Sequence, residues 1–323
     1  MSQDDQIRKL TEIAYMYYID GMSQNNIAKE FSISRSMVSL MLSEAKAKEI
    51  VKIEIKDAGL YCFDLQRKLE RIFKLKKAIV VPEFTKTIES KVRLLGDATA
   101  RYLSQILEDN MTIGVSWGIT INEVANRVKN TNKSNLTVTP LIGGIANEMS
   151  HLHSNVIANT MAKRLGGKSL GLYAPVFVSI KEVKDVIFKD ISIKNVFEKG
   201  ESADIAIVGI GSIQNSTMYS IGCLNNKDYE DLQKCGAVGD FSNWFFDKDG
   251  QYIDAEITER TIAVARDKIA KIPLKIAVAG GVNKKEAIHA ALKGKLMDVL
   301  ITDEGVARDI ISEYENHNIA LQL

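Results

Sequence analysis

The chain has 323 residues, of which 46% are apolar and 26% are charged, and its formal net charge at pH 7 is +1. These are ordinary values for a globular protein of about two domains. The apolar runs fall far short of the ~18–20 residues that cross a bilayer, and the acidic, polar start does not resemble a secretory signal. The sequence therefore predicts a cytoplasmic protein that does not bind a membrane.

The cysteines and histidines give no sign of a metal site. The cysteines are Cys62, Cys223 and Cys235, with no CxxC pair and no matched His/Cys spacing. Neither a disulfide framework nor a structural zinc site is expected, and we predict no metal and no cofactor. His151 and His153 are interpreted as ordinary polar surface residues.

The first 57 residues have the pattern of a winged helix-turn-helix, and we assign 1–57 to one domain. Gly21 is suited to ending a first helix, while Ser23 and Ser34 are good N-caps for two more. The predicted elements are a helix over Ile7–Tyr18, a helix over Gln24–Glu30, a helix from Arg35 to about Lys48, and a strand over Ile50–Ile55.

Residues 58–323 have the pattern of an α/β domain with a mainly parallel, Rossmann-like sheet. A helix over Leu60–Leu75 is followed by short strands rich in Val and Ile, and amphipathic helices separate several of these strands. Strands are predicted at Ala78–Val81, Met111–Val115, Leu136–Ile142, Asp204–Ile210, Leu274–Ala279 and Met297–Ile301.

The third helix carries the side chains that could read DNA. In a helix-turn-helix the first turns of the second motif helix face base edges, and here they hold Ser34, Arg35, Ser36 and Ser39. Gln24 and Lys46 are candidates for contacts with the phosphate backbone. The first 57 residues contain eight basic and nine acidic residues, a low balance for a DNA-binding domain, so a protein-interaction module stays an alternative.

Glycine-rich turns follow several predicted strands, and in open α/β sheets such turns converge on one crevice. The turns are Gly114–Thr120, Gly143-Gly144, Gly209–Ser212, Gly236–Asp240 and Ala279–Gly281. In the first of them Gly114, Trp117 and Gly118 accompany the hydroxyls of Ser116 and Thr120, ahead of a helix N-terminus that suits a phosphate. The turn matches neither the Walker pattern nor GxGxxG, and each single glycine is better explained by a simple turn.

Three charged residues beside these turns are candidates for ligand contacts. Lys284 could neutralise a phosphate, while Asp240 and Asp247 could accept hydrogen bonds from sugar hydroxyls. For Asp247 a surface turn with Asp249 and Gly250 is an equally good interpretation.

Taken in order, these motifs resemble the SorC family of bacterial transcriptional regulators. The resemblance rests on Ser23–Phe31 with Ile33-Ser34-Arg35, Ile113–Gly118, Pro140–Gly144, Leu172–Pro175, Val208–Ser212, Gly236–Asp240, Phe246-Asp247, Ala279–Gly281 and Asp298–Asp303. It implies a winged helix-turn-helix joined to an effector domain similar to ribose-5-phosphate isomerase and glucosamine-6-phosphate deaminase. It also implies a tetramer that binds operator DNA and responds to a phosphorylated sugar.

The resemblance also implies which residues line the effector pocket. These are Gly114, Ser116, Trp117, Gly118 and Thr120 on the phosphate side, Gly143 and Gly144 as a wall, Asp240 toward hydroxyls and Lys284 toward phosphate. The chain departs from the family pattern at three positions. Ile142 stands where some members have a basic residue, which makes a doubly phosphorylated effector a poorer fit. Ser36 replaces a frequent proline, and Leu40 replaces a frequent basic residue.

The main prediction is therefore a regulator of a carbohydrate-metabolism operon whose DNA affinity a phosphorylated sugar modulates, and not an enzyme. The alternative is a sugar-phosphate isomerase or deaminase with an appended helix-turn-helix, for which Asp240 or Asp247 would be the catalytic carboxylate. A dinucleotide sensor is disfavoured because the chain lacks GxGxxG near its first strands.

Overall fold

The computed structural model describes residues 3–52, 62–83, 87–145 and 149–320. The chain forms two compact units, 1–57 and 58–323. Among the described residues, no helix is both long enough and apolar enough to span a bilayer.

The first unit is a three-helix bundle comprising α1 (Gln3–Tyr18), α2 (Gln24–Glu30) and α3 (Arg35–Ala47). Its core holds one apolar stripe from each helix, namely Leu10, Ile13, Ala14, Ile27, Ala28, Val38, Leu42 and Ala45. Both predicted N-caps are confirmed: the Ser23 hydroxyl accepts from the Asn26 N–H at 3.3 Å, and that of Ser34 accepts from the Met37 N–H at 3.1 Å. The predicted strand is not formed over residues 50–52, and residues 53–55 lie outside the described residues.

The second unit alternates helices with strands. Its helices are α4 (Phe63–Phe73), α5 (Ile88–Ile106), α6 (Ile119–Arg127), α7 (Ser154–Leu165), α8 (Lys181–Ile187), α9 (Ile191–Glu201), α10 (Thr217–Ser220), α11 (Asn226–Lys234), α12 (Glu256–Glu259), α13 (Arg266–Ile269), α14 (Lys285–Lys293) and α15 (Glu304–Ala320). Its strands are β1 (Lys77–Val81), β2 (Thr112–Val115), β3 (Thr137–Pro140), β4 (Lys168–Ser169), β5 (Ile205–Ser212), β6 (Gly239–Phe241), β7 (Trp244–Phe246), β8 (Leu274–Val278) and β9 (Val299–Asp303).

The sheet separates two layers of helices. Its strand order is β1-β9-β8-β5-β2-β3-β4, and the neighbours in this path pair in parallel. Successive residues of β5 alternate between the two faces: Ala206 and Val208 pack with α9, α14 and α15, whereas Ile205 and Ile207 pack with α5, α6 and α7. Both faces are therefore buried, as the apolar strands predict.

The order in which strands are added across the sheet reverses between β2 and β5. After β2 the chain continues outward through β3 and β4 and then returns to place β5 on the other side of β2. A crevice opens at the carboxyl ends of the strands at such a point. β5 also extends beyond its parallel neighbours, and its last residues pair antiparallel with β6, which places the β6–β7 hairpin at this edge.

Candidate functional site

The loop after β2 is hydrogen-bonded to the neighbouring strand β5, at the point where the strand order reverses. The hydroxyl of Ser116 is buried and accepts a hydrogen bond from the N–H of Gly209 in β5, at 3.3 Å. Gly118 has φ +123°, a conformation that favours glycine, and is the N-cap residue of α6. Thr120 is partly buried in the first turn of that helix. The loop thus leads directly into a helix N-terminus, the arrangement that suits an anion.

A chain of hydrogen bonds connects this loop to the β6–β7 hairpin. The indole N–H of Trp117 donates to the Asn243 side-chain oxygen at 2.9 Å, and the backbone N–H of Asn243 donates to the carboxylate of Asp240 at 3.1 Å. Asn243 and Ser242 both have positive φ in the tight turn of the hairpin. Trp117 and Asp240, which are far apart in sequence, are therefore joined in one hydrogen-bonded network, and Asn243 is the connecting residue that the sequence analysis missed.

Removing the Asn243 amide should loosen Trp117. Glycine accepts the positive φ of this position, so Asn243→Gly removes the side-chain hydrogen bonds to Trp117 and Met218 without straining the backbone, and we expect it to lower the free energy of unfolding by at least about 1 kcal/mol. In a Trp244→Phe background Trp117 is the sole tryptophan, and its fluorescence maximum should shift to longer wavelength. An unchanged emission spectrum would show that the hydrogen bond does not fix the indole.

Asp240 and Lys284 are two charged residues that act on each other near the carboxyl ends of the strands. Asp240 pairs with Gly211 of β5 and its carboxylate lies where a Cβ on Gly211 would be. Burial raises the pKa of Asp240 to about 6, against the opposing effects of the Asn243 N–H and the positive charge of Lys284. Burial also lowers the pKa of Lys284, an effect that the charge of Asp240 opposes. Two desolvated charged groups in one crevice are typical of a binding site.

The second unit also holds Asp303, which the sequence analysis named only within a motif. This carboxylate, at the end of β9, is almost fully buried and accepts from the Gly281 N–H at 2.6 Å and the Val306 N–H at 3.2 Å. Lys91 lies 3.7 Å from it. Asp303 therefore holds the Ala279–Gly281 turn, which leads into the short 3-10 helix Val282–Lys284.

Gly143 and Gly144 are required by packing. A Cβ on Gly143 would lie 2.3 Å from the carbonyl oxygen of Pro175, and one on Gly144 would lie 1.7 Å from His153 Nε2. Their N–H groups donate to Ile262 and Ala174 rather than into the crevice. Gly114 is likewise packed against Leu141. These glycines allow close packing beside the crevice, and their contact with a ligand stays a prediction.

The interpretation of His153 as a surface residue was wrong. His153 is half-buried over Gly144 and is the N-cap residue of α7: its Nδ1 accepts from the Asn155 N–H at 3.1 Å. Burial lowers its pKa, so the neutral ring that can accept this hydrogen bond is favoured. A histidine is an unusual N-cap, and the packing contact with Gly144 could not be read from local sequence. His151 is exposed, as expected.

Asp247 lies in a surface turn, as the alternative interpretation held. Its carboxylate accepts from the backbone N–H groups of Asp249 and Gln251, both at 2.9 Å. One oxygen of the Asp247 carboxylate, Oδ1, is used in shaping its own turn.

In the first unit, the candidate DNA-reading residues lie on one exposed face of α3. Arg35, Ser36, Ser39 and Lys46 are exposed, and the Lys46 ammonium lies 5.7 Å from the centre of the Tyr18 ring. Ser34 is exposed but its hydroxyl already serves as the N-cap of α3. Gln24 is half-buried at the start of α2.

Comparisons with known proteins agree with this architecture. The "Putative sugar-binding domain" family matches residues 59–312. The deoxyribonucleoside regulator of Bacillus subtilis is 31% identical over 303 residues, which cover 94% of this chain and 96% of that protein. The sorbitol operon regulator of Klebsiella pneumoniae is 27% identical, covering 95% of this chain and 98% of that protein. The solved full-length sorbitol operon regulator SorC of Klebsiella pneumoniae has a TM-score of 0.79 and 26% identity, covering 96% of this chain and 100% of that one.

Proposed function

The chain belongs to the SorC family of transcriptional regulators, which carry a sugar-binding domain, and we propose that it binds operator DNA with an affinity that a phosphorylated sugar changes. The operator would control genes of carbohydrate metabolism. Similar proteins are named for a deoxyribonucleoside and for the sorbitol operon. Such a regulator would act in the cytoplasm.

The observation that carries this proposal is the combination of two features in one chain. The first unit exposes Arg35, Ser36 and Ser39 on a capped helix that follows a tight turn. The second unit matches a sugar-binding family, and its Lys284 is close enough for its charge to act on the buried Asp240 carboxylate. A helix-turn-helix reads base edges with such residues, and a crevice of this charge suits a small anion.

The chemistry of the crevice supports a sugar phosphate as the effector. Lys284 and the N-terminus of α6 supply the positive electrostatics that a phosphate needs. The carboxylate of Asp240 accepts hydrogen bonds, as sugar hydroxyls require. Ile142 offers no cation beside Gly143, which favours an effector with one phosphate.

We also propose self-association, as a tetramer. A single helix-turn-helix unit with eight basic and nine acidic residues would bind DNA weakly and with strong salt dependence. Several units on one assembly would bind several half-sites at once and so raise the affinity.

Lys284→Ala is expected to abolish sugar-phosphate binding without loss of the fold. A ligand at 100 times its Kd stabilises the folded state by about 2.7 kcal/mol, so a panel of sugar phosphates can be screened by the rise in Tm. Lys285→Ala is the matched control, because Lys285 is the next residue and its ammonium pairs with Glu313 of α15. The wild type and Lys285→Ala should show the shift, whereas Lys284→Ala should not. An undiminished rise in Tm for Lys284→Ala would show that Lys284 does not contact the ligand.

A further inference from the structure

The exposed face of α3 has a leucine at its centre. Leu40 is 62% exposed, although the helix has an apolar side of its own that is buried through Val38, Leu42 and Ala45. At about 100° per residue, Leu40 lies opposite that buried side. The core of the first unit therefore does not explain why position 40 is apolar.

Several exposed neighbours of Leu40 are small, whereas Met37 and Glu44, at i−3 and i+4, are the larger ones. Four exposed residues with small side chains lie four, one, three and seven positions from Leu40, namely Ser36, Ser39, Ser43 and Ala47. The Ser43 hydroxyl donates to the Ser39 carbonyl oxygen at 3.1 Å, so this side chain is held against the helix. On the side of Ser36, Ser43 and Ala47, Leu40 consequently projects further than its neighbours, while the Glu44 carboxylate on the other side is engaged by Lys48 and Gln6.

The major groove contains one apolar group that such a side chain can recognise, the C5-methyl group of thymine. On the basis of the proposed function, in which α3 enters the major groove, we propose that Leu40 contacts thymine methyl groups and selects T·A pairs in each half-site. The serines beside it let the helix lie close enough for this contact.

The position of Leu40 relative to Arg35 predicts where the thymine lies. Five residues of α-helix span about 7.5 Å along the axis. At about 3.4 Å per base-pair step, this separation corresponds to roughly two steps. Because Arg35 suits guanine, the half-site should contain a G and, about two base pairs away, one or more thymines.

The test begins with the operator sequence. Duplexes bound by the full chain are selected from a random library, and each thymine of the selected sequence is replaced in turn by deoxyuridine. This replacement removes only the methyl group and keeps the base pair. Burying one methyl group corresponds to roughly a fourfold change in affinity, so replacing the contacted thymine should weaken wild-type binding by about that factor.

Two variants and one control identify the residue responsible. Leu40→Ala should bind the thymine and deoxyuridine duplexes equally, since alanine suits a helix but does not reach the methyl group. Leu40→Arg should shift the selected base at this position toward guanine. Ile19→Ala is the matched control, because Ile19 is an aliphatic residue directly after α1 with 67% exposure, and it should keep the full deoxyuridine effect.

The outcomes separate this inference from the function on which it rests. A selected sequence whose thymines can all be replaced by deoxyuridine without effect on wild-type binding would overturn the role of Leu40 and leave operator binding intact. A deoxyuridine effect that persists in Leu40→Ala would do the same. If no sequence is enriched, the proposed function itself fails.

Discussion

The Asp240→Asn variant is expected to be more stable than the wild type at about pH 7.5. Burial raises the pKa of Asp240 from 3.8 to about 6. The folded state therefore holds this proton more tightly than the unfolded chain does. Protonated Asp240 stabilises the folded state fully below the unfolded pKa of 3.8, and this stabilisation is lost as the pH rises through about 6. At about 1.4 kcal/mol for each pH unit between the two pKa values, the ionised carboxylate costs up to about 3 kcal/mol.

The amide of the variant carries no such cost and can still accept the Asn243 N–H. The free energy of unfolding of Asp240→Asn minus that of the wild type should rise from near zero at about pH 4 to about 3 kcal/mol at about pH 7.5. Urea titrations at several pH values measure this difference. Asp303→Asn is the control, since that carboxylate accepts two backbone N–H groups and its replacement should destabilise. A pH-independent difference for Asp240→Asn would contradict the raised pKa.

Arg35→Ala is expected to lower sequence selection by the first unit, at the position of the contacted guanine, while leaving its fold intact. Arg35 is exposed at the start of α3, and alanine is well tolerated in a helix. Loss of one bidentate contact to guanine costs about 1–3 kcal/mol, which weakens operator binding by about tenfold to a hundredfold. Fluorescence anisotropy with the selected duplex and with a scrambled duplex measures both affinity and selectivity.

The matched control for Arg35→Ala is Arg8→Ala, which removes the same charge from an exposed position of α1. A contact with a base lowers selectivity, whereas a contact with phosphate weakens binding to all sequences equally. If Arg8→Ala and Arg35→Ala weaken the selected and scrambled duplexes to the same extent, α3 does not enter the groove through Arg35.

The elements set by local chemistry were predictable from the sequence. α2 was predicted at its observed bounds, because Ser23 caps it and Ile27 and Ala28 mark its buried side. β8 was predicted to within one residue, because a short, mostly apolar run ends at a glycine turn. The contact between β2 and β5 at the crevice was expected from the general rule for parallel sheets, and the hydrogen bond from Gly209 to Ser116 confirms that these two turns meet.

The features that depend on contacts distant in sequence were not predictable. The β6–β7 hairpin exists because β5 is long enough to pair with β6, and neither Asn243 nor its bond to Trp117 has a local signal. The position of His153 over Gly144 depends in the same way on the packing of α7 against the turn after β3. The sequence identified Asp240 and Lys284 as candidates, but only the fold brings their charges together and gives each a shifted pKa.

The central claim is tested most directly by the affinity of the full-length protein for its selected operator duplex, measured with and without a saturating sugar phosphate that raises its Tm. The account predicts that the sugar phosphate changes the operator Kd of the wild type and of Lys285→Ala but not that of Lys284→Ala. A sugar phosphate that binds through Lys284, yet leaves the operator Kd of the wild type unchanged, would contradict it.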